Sequence, residues 1–265
     1  MPTAYEESYC NLVRDVLAGG DSRHTRNAPT TALFGQVMTV HELVWGQFPI
    51  LSGRKLYYKG VMGELAAFLK GPKTIADFTN EGCNYWDKWG NEDGTINVDY
   101  GNSWLDYNGV NQLEAVLDSL ATDPTGRRHI ISGWRPDNLP NLNLPCCHLL
   151  YQWYVNDDHL EMIWYQRSVD VMIGLPSDVI LAACWNILMA EQLGLQPGKL
   201  VFMLGDTHIY ESHEEQAYNY LSSALATPDA PVSYFNEGSI YNYNKDSISL
   251  MDYNPNDPIK FEVHA

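Results

Sequence analysis

Positive charge is scarce in this chain: 16 lysines and arginines stand against 33 aspartates and glutamates, a formal charge of −17 over 265 residues. Binding to polymeric nucleic acid rests on neutralising phosphates with Lys and Arg, so a balance this acidic argues against such a partner. A small anionic ligand is still allowed where the few arginines cluster. Cysteine is sparse too. Cys10, Cys83, Cys146, Cys147 and Cys184 are odd in number and lack CxxC spacing, which argues against a disulfide framework and against a zinc site. They read as reduced thiols, one of which could be a nucleophile, and no metal is expected. No apolar run reaches the roughly 18 residues of a membrane span, and the start, Met1-Pro2-Thr3-Ala4-Tyr5-Glu6-Glu7, does not read as a signal peptide. The expectation is a soluble, cytoplasmic protein without a membrane partner. Repeats, low-complexity tracts and convincing linkers are missing as well, so residues 1–265 are expected to form one domain with a substantial core.

What is there reads as a mixed α/β order of elements. Residues 4–18 have helical periodicity and end at Gly19-Gly20; a polar stretch with Arg23, Arg26 and Pro29 leads into a strand from Thr31 to Val40. Gly60 to Leu69 reads as a helix stopped by Gly71-Pro72, and Val110 to Leu120 as a second amphipathic helix. His129 to Trp134 is strand-like. Leu149 to Val155 and Leu160 to Gln166 alternate around Asn156-Asp157-Asp158, a hairpin pattern. Val179 to Leu193 is apolar nearly all round, which predicts a buried helix. Leu200 to Met203 reads as a strand, a helix is expected within Ile209 to Leu225, and the tail from Asp252 reads as loop.

Three segments carry chemistry. Pro145-Cys146-Cys147-His148 precedes a strand, and a lone pair of adjacent cysteines is more often a pair of core thiols. Tyr165-Gln166-Arg167-Ser168-Val169-Asp170 leads to a turn at Gly174-Leu175-Pro176, followed by Ser177-Asp178. Gly205-Asp206-Thr207-His208-Ile209-Tyr210 adds polar groups beside an apolar run. Together they offer a thiol, an arginine able to hold it as thiolate, and hydroxyl, imidazole and carboxylate groups for a polar ligand.

These segments resemble the signature segments of thymidylate synthases. The resemblance extends to Glu64 in Gly-Glu-Leu-Ala-Ala-Phe-Leu-Lys-Gly, to Trp86-Asp87-Lys88-Trp89 followed by Tyr100-Gly101, to Asp123-Pro124 with Arg127-Arg128, and to the tail from Tyr253 to Lys260. It implies a mixed sheet flanked by helices, in a homodimer whose sheets stack and whose active sites are shared across the interface. The cosubstrate it implies is 5,10-methylenetetrahydrofolate. Cys147 would add to C6 of a pyrimidine nucleotide, making C5 nucleophilic, which splits a hard ring substitution into easier steps. Arg167 would stabilise the thiolate and bind phosphate with Arg26 and Ser168, while Arg127 and Arg128 would reach across from the partner. Such planar forks suit a phosphate dianion even in an acidic protein. Gln166, His208 and Tyr210 would also hold the nucleotide. Glu64 would organise proton transfers with His148 and Tyr100 nearby. Trp86 and Asp170 would contact the folate, and the tail ending at Ala265 would close over it. Cys146 reads as structural.

The informative departure is Ser177-Asp178, where a thymidylate synthase has Phe and Asn. That Asn donates to O4 of uracil and accepts from N3–H; a carboxylate at Asp178 cannot donate to O4. Cytosine offers a 4-amino donor instead, so Asp178 favours dCMP. The same exchange is associated with the deoxycytidylate hydroxymethylases of bacteriophages, relatives of thymidylate synthase. Ser177, and Ala67 where the family has Trp, would leave room near the folate for water and favour a hydroxymethyl over a methyl product. The expectation is dCMP 5-hydroxymethylation. The alternatives are dCMP 5-methylation, an enzyme acting on dUMP, or a non-catalytic nucleotide- or RNA-binding relative, which the acidic charge and the retained Cys147, Glu64, Arg167, His208 and Tyr210 argue against.

Overall fold

The computed structural model describes residues 2–224, 230–236 and 239–264. Helix α1 (Ala4–Gly19) starts where the Thr3 side chain accepts from the Glu6 backbone N–H at 3.0 Å, with Glu6 and Glu7 in the first turn at the positive end of the helix dipole. The polar stretch after it holds β1 (Asp21–His24), antiparallel to β2 (Pro29–Val40). β1 is exposed throughout, so it has no apolar alternation by which a sequence reading could find it. Helices α2 (Tyr58–Phe68), α3 (Ile75–Asn80), α4 (Asn102–Leu105) and α5 (Gln112–Thr122) follow. α3 escapes periodicity because it is only six residues long; a reciprocal capping box of Thr74 and Asp77 starts it.

Strands β3 (Ile130–Ser132), β4 (His148–Asn156), β5 (His159–Asp170) and β6 (Gln196–Tyr210) complete a six-stranded sheet in the order β1-β2-β6-β5-β4-β3. β4 and β5 form the expected hairpin, with Asp157 at φ 54° in its turn. β5 and β6 are parallel, which requires a crossover, and α6 (Gly174–Leu193) supplies it.

Two boundaries differ from the sequence reading. Gly174-Leu175-Pro176 is not a turn but the first turn of α6. Proline is tolerated there because a first-turn N–H has no intrahelical acceptor. The strand expected at Leu200–Met203 runs on through Tyr210, and the helix after it, α7 (Glu214–Ser223), starts only at Glu214. Thr207 to Tyr210 pair with Thr30 to Leu33 of β2, and Thr207 and His208 also with Val169 and Asp170 of β5; two-sided ladder pairing overrides the local pattern. A small hairpin, β7 (Val232–Phe235) with β8 (Ile248–Met251), precedes the tail.

Alternation along the strands sorts the sheet into two faces. Met38, Val40, Leu200, Phe202, Met162, Trp164, Tyr151, Trp153 and Ile131 are buried against the helices. Trp104 of α4 stacks on Trp185 of α6 with ring centroids 4.0 Å apart, and Trp153 meets Trp185 edge-on. Truncating such a buried tryptophan to alanine costs about 3–5 kcal/mol. On the other face Val37, Met203, Tyr154 and Ile130 stand exposed. Among the described residues no helix is long and apolar enough to cross a membrane.

Candidate active site

A cavity of about 750 Å³ opens at the C-terminal ends of β4's neighbour β5 and of β6, against α2 and the start of α6. Its wall draws Cys147 and His148 from the start of β4, Gln166, Ser168 and Asp170 from the end of β5, and Ser177 and Asp178 from the first turns of α6. Glu64 and Phe68 come from α2, His208 and Tyr210 from β6, Arg26 from the β1–β2 loop, and Tyr85, Trp86, Trp89 and Tyr100 from the segments after α3. Residues up to 238 positions apart in the chain, Arg26 and His264, thus face one volume, because strand ends and helix starts converge there.

Cys147 is the only half-buried one of five free cysteines; the other four are buried. Its backbone N–H donates to the Tyr100 hydroxyl at 2.5 Å, and its carbonyl accepts from the Arg167 backbone N–H at 2.8 Å. Arg167 turns its Nε onto the Cys146 carbonyl (2.8 Å) and a terminal nitrogen onto the Pro145 carbonyl (3.1 Å), over the Trp134 ring. The guanidinium therefore braces the cysteine loop, and Arg167 is not part of the cavity wall. Burial pushes the Cys147 thiol up, while the charge of Arg167 and the Tyr100 hydrogen bond pull it down. Burial drives the Cys146 thiol well up, and Cys146 does not face the cavity. Gly101, at φ 73°, lets the Tyr100 loop lie on the end of α2: a Cβ there would come 2.0 Å from the Phe68 carbonyl oxygen.

Glu64 accepts from the Trp86 indole N–H at 2.7 Å on one oxygen and from the Tyr85 hydroxyl at 2.8 Å on the other. Burial raises its pKa to about 7 against the pull of those two donors. His148 and Tyr100 bond elsewhere. The His148 Nδ1 lies 2.6 Å from the Tyr151 hydroxyl, the ring packs between Tyr100 and Trp164, and burial lowers its pKa to about 3, so it is neutral. Trp86 is itself buried, stacked on Phe78 at 4.7 Å.

Asp178 is oriented by a relay. The Trp164 indole, a donor only, gives its N–H to Gln166 Oε1 at 3.1 Å, which turns the Gln166 amide NH2 toward Asp178 Oδ2 at 2.7 Å. Burial drives the Asp178 pKa well up despite that bond. Asp170 accepts from the Met172 and Ile173 backbone N–H groups at 2.9 and 3.0 Å. His208 Nδ1 meets Asp206 at 2.9 Å, and the Tyr210 ring packs on His264 of the tail. Ser177 lines the cavity, whereas Ala67 is buried away from it.

Of the arginines expected around a phosphate, Arg26 alone is in the wall; Arg127 and Arg128 are exposed just before β3 and do not reach it within the chain. Ala265 lies outside the described residues. Sequence reasoning missed Tyr85, Tyr57, Asn143 and His264. Tyr85 carried a signal in standing next to Trp86, but the pairing of both side chains with Glu64 is made only by the fold. No group of three or more His, Cys, Asp or Glu side chains among the described residues is arranged to hold a metal ion.

The match to known families agrees with this geometry. The model for thymidylate synthase matches residues 7–265. That family consists of one-carbon transferases, typically homodimers, which use methylenetetrahydrofolate to alkylate C5 of a pyrimidine nucleotide. With its thiol, carboxylates and nucleotide-sized cavity assembled on the family's sheet, the chain belongs to the thymidylate synthase family.

Proposed function

We propose that the protein is a dCMP 5-hydroxymethyltransferase. The observation that carries this reading is the Asp178 carboxyl in the cavity wall, oriented by Gln166 through a 2.7 Å hydrogen bond. Burial drives its pKa well up; in the neutral form it donates to N3 of cytosine and accepts from the 4-amino group. Ionised, it accepts from the amino group and, once Cys147 has added at C6, from the protonated N3. Cytosine thus fits both protonation states, whereas uracil, with an acceptor at O4, fits only the neutral one. The raised pKa of Asp178 is also what favours the second reading, a dUMP-acting enzyme, because a neutral carboxyl can pair with that edge.

The cosubstrate, methylenetetrahydrofolate, supplies the one-carbon unit. An extended heteroaromatic group suits the aromatic part of the wall, where Trp86 and Trp89 lie with ring centroids 5.3 Å apart. Cys147 is the nucleophile, Arg167 the cation favouring its thiolate, and Tyr100 the brace on its backbone. Glu64, with a pKa near neutrality, exchanges protons with the reacting base and with water. Ser177 leaves space for that water; Ala67, set away from the cavity, contributes nothing to it, so the hydroxymethyl reading leans on Ser177 alone. Arg26, Ser168, His208 and Tyr210 hold phosphate and sugar. The uncovered apolar sheet face, with Val37, Met203, Tyr154 and Ile130 exposed, supports a sheet-stacked homodimer in which Arg127 and Arg128 complete the partner's phosphate site.

The test is release of tritium from C5-labelled dCMP and dUMP in the presence of methylenetetrahydrofolate, with the product mass and the folate coproduct read together. Faster release from dCMP, a product carrying the extra oxygen and no growth of dihydrofolate absorbance are expected. A wide preference for dUMP overturns the substrate; stoichiometric dihydrofolate overturns the product.

A further inference from the structure

Tyr85 lines the cavity, yet neither the nucleotide nor the one-carbon chemistry assigned above requires it. Its hydroxyl carries one proton, and it donates that proton to Glu64 Oε2 at 2.8 Å.

Trp86, the next residue, holds the other carboxylate oxygen at 2.7 Å. Two consecutive side chains thus grip both oxygens of one glutamate. Each oxygen keeps a lone pair free for the cavity. A glutamate side chain has three rotatable bonds, and misplacing a proton-transfer group by about 1 Å can cost about 10²-fold in rate.

We propose that Tyr85 is a positioning residue, fixing the Glu64 carboxylate against the reacting base through the hydrogen bond from its phenol. This rests on the reading of Glu64 as the proton-transfer group but not on which nucleotide is the substrate. The phenol bond also lowers the Glu64 pKa, so its loss moves that pKa upward, and an ascending limb of the kcat profile that follows Glu64 ionisation moves to higher pH.

The test uses Tyr85→Phe, which keeps the ring and removes the oxygen, alone and combined with Glu64→Gln. Tritium release from both dCMP and dUMP is measured across pH. Tyr85→Phe is expected to lower kcat about 10–100-fold with KM for the nucleotide within about twofold, and to shift the ascending limb upward. On the Glu64→Gln background the same change is expected to cost less than about twofold, because groups acting as one unit are not additive. A full, additive loss in the double variant, or a kcat within about twofold of wild type in the single one, overturns the proposal. A carbon-13 carboxyl titration of Glu64 separates it from the functional reading: if the wild type turns over neither nucleotide, the functional reading fails, and an unmoved Glu64 midpoint in Tyr85→Phe sinks the positioning role independently.

Discussion

The two ends of the cavity are built differently. At the end we propose to carry the reaction, the groups are clamped by their own chain: Glu64 by Tyr85 and Trp86, Asp178 by Gln166, Cys147 by Tyr100 and the Arg167 backbone. Glu64 sits on α2, Asp178 in the first turns of α6 and Cys147 just before β4, and burial raises the pKa of each. At the end we propose to hold the phosphate, the chain is sparse. Arg26 comes from a loop, Arg167 spends its guanidinium on two carbonyls, and Arg127 and Arg128 point to solvent away from the cavity. Chemistry that needs desolvated, immobile groups is placed in the core. Binding of a dianion needs only charge and forks, and these can arrive from outside.

The sharpest way to break this contrast is at the thiol. Cys147→Ala is expected to abolish turnover, by at least about 10⁴-fold, as loss of a covalent nucleophile does. Cys146→Ala, which faces away from the cavity, is expected to retain most of it; the reverse pattern in a steady-state assay would shift the nucleophile by one residue.

The group proposed to read the base comes next. Asp178→Asn is expected to move the ratio of kcat/KM for dCMP over dUMP toward dUMP, by about 10²–10⁴. An unchanged ratio means that Asp178 does not read the base edge.

The phosphate end is tested by mixing. Arg127→Ala/Arg128→Ala and Cys147→Ala homodimers are each expected to be nearly inactive, and subunit exchange between them should restore about a quarter of wild-type activity, since one hybrid site of two is complete in half of the dimers. Demonstrated exchange without recovery would show that the phosphate end is completed within one chain.

The smallest effect concerns pH. Glu64 has its pKa raised in the folded protein from 4.5 to about 7, so folding binds its proton more tightly than the unfolded chain does. That contribution is fully present below about pH 4.5 and is lost as pH rises through about 7. Glu64→Gln is expected to flatten this part of the stability curve; urea midpoints between pH 4.5 and 7.5 with the wild-type slope would count against the burial of its charge.

Much of this was legible beforehand. Amphipathic periodicity located α1, α2 and α5, alternation located the β4–β5 hairpin, and the apolar run after Val179 located most of α6. β1 was not legible because it is exposed along its length, and the end of β6 was hidden because polar His208 and Thr207 are held in the strand by neighbours on both sides. Most of the residues singled out as site candidates line one cavity, while Arg127, Arg128 and Arg167 do not.

The identity and order of the chemical groups are properties of the sequence by itself: one thiol beside an imidazole, an arginine at the end of a strand, and a carboxyl where the family has an amide. Spacing and residue type express these without any fold. Only the tertiary structure decided what each group is bonded to. It paired Glu64 with Tyr85 and Trp86 across 21 and 22 residues, turned Gln166 toward Asp178 through the Trp164 indole, isolated His148 as a neutral ring, and left Ala67 out of the cavity. Hydrogen bonds and desolvation act over a few ångströms, and which groups come within that range is set by how strands and helices converge, not by their separation along the chain.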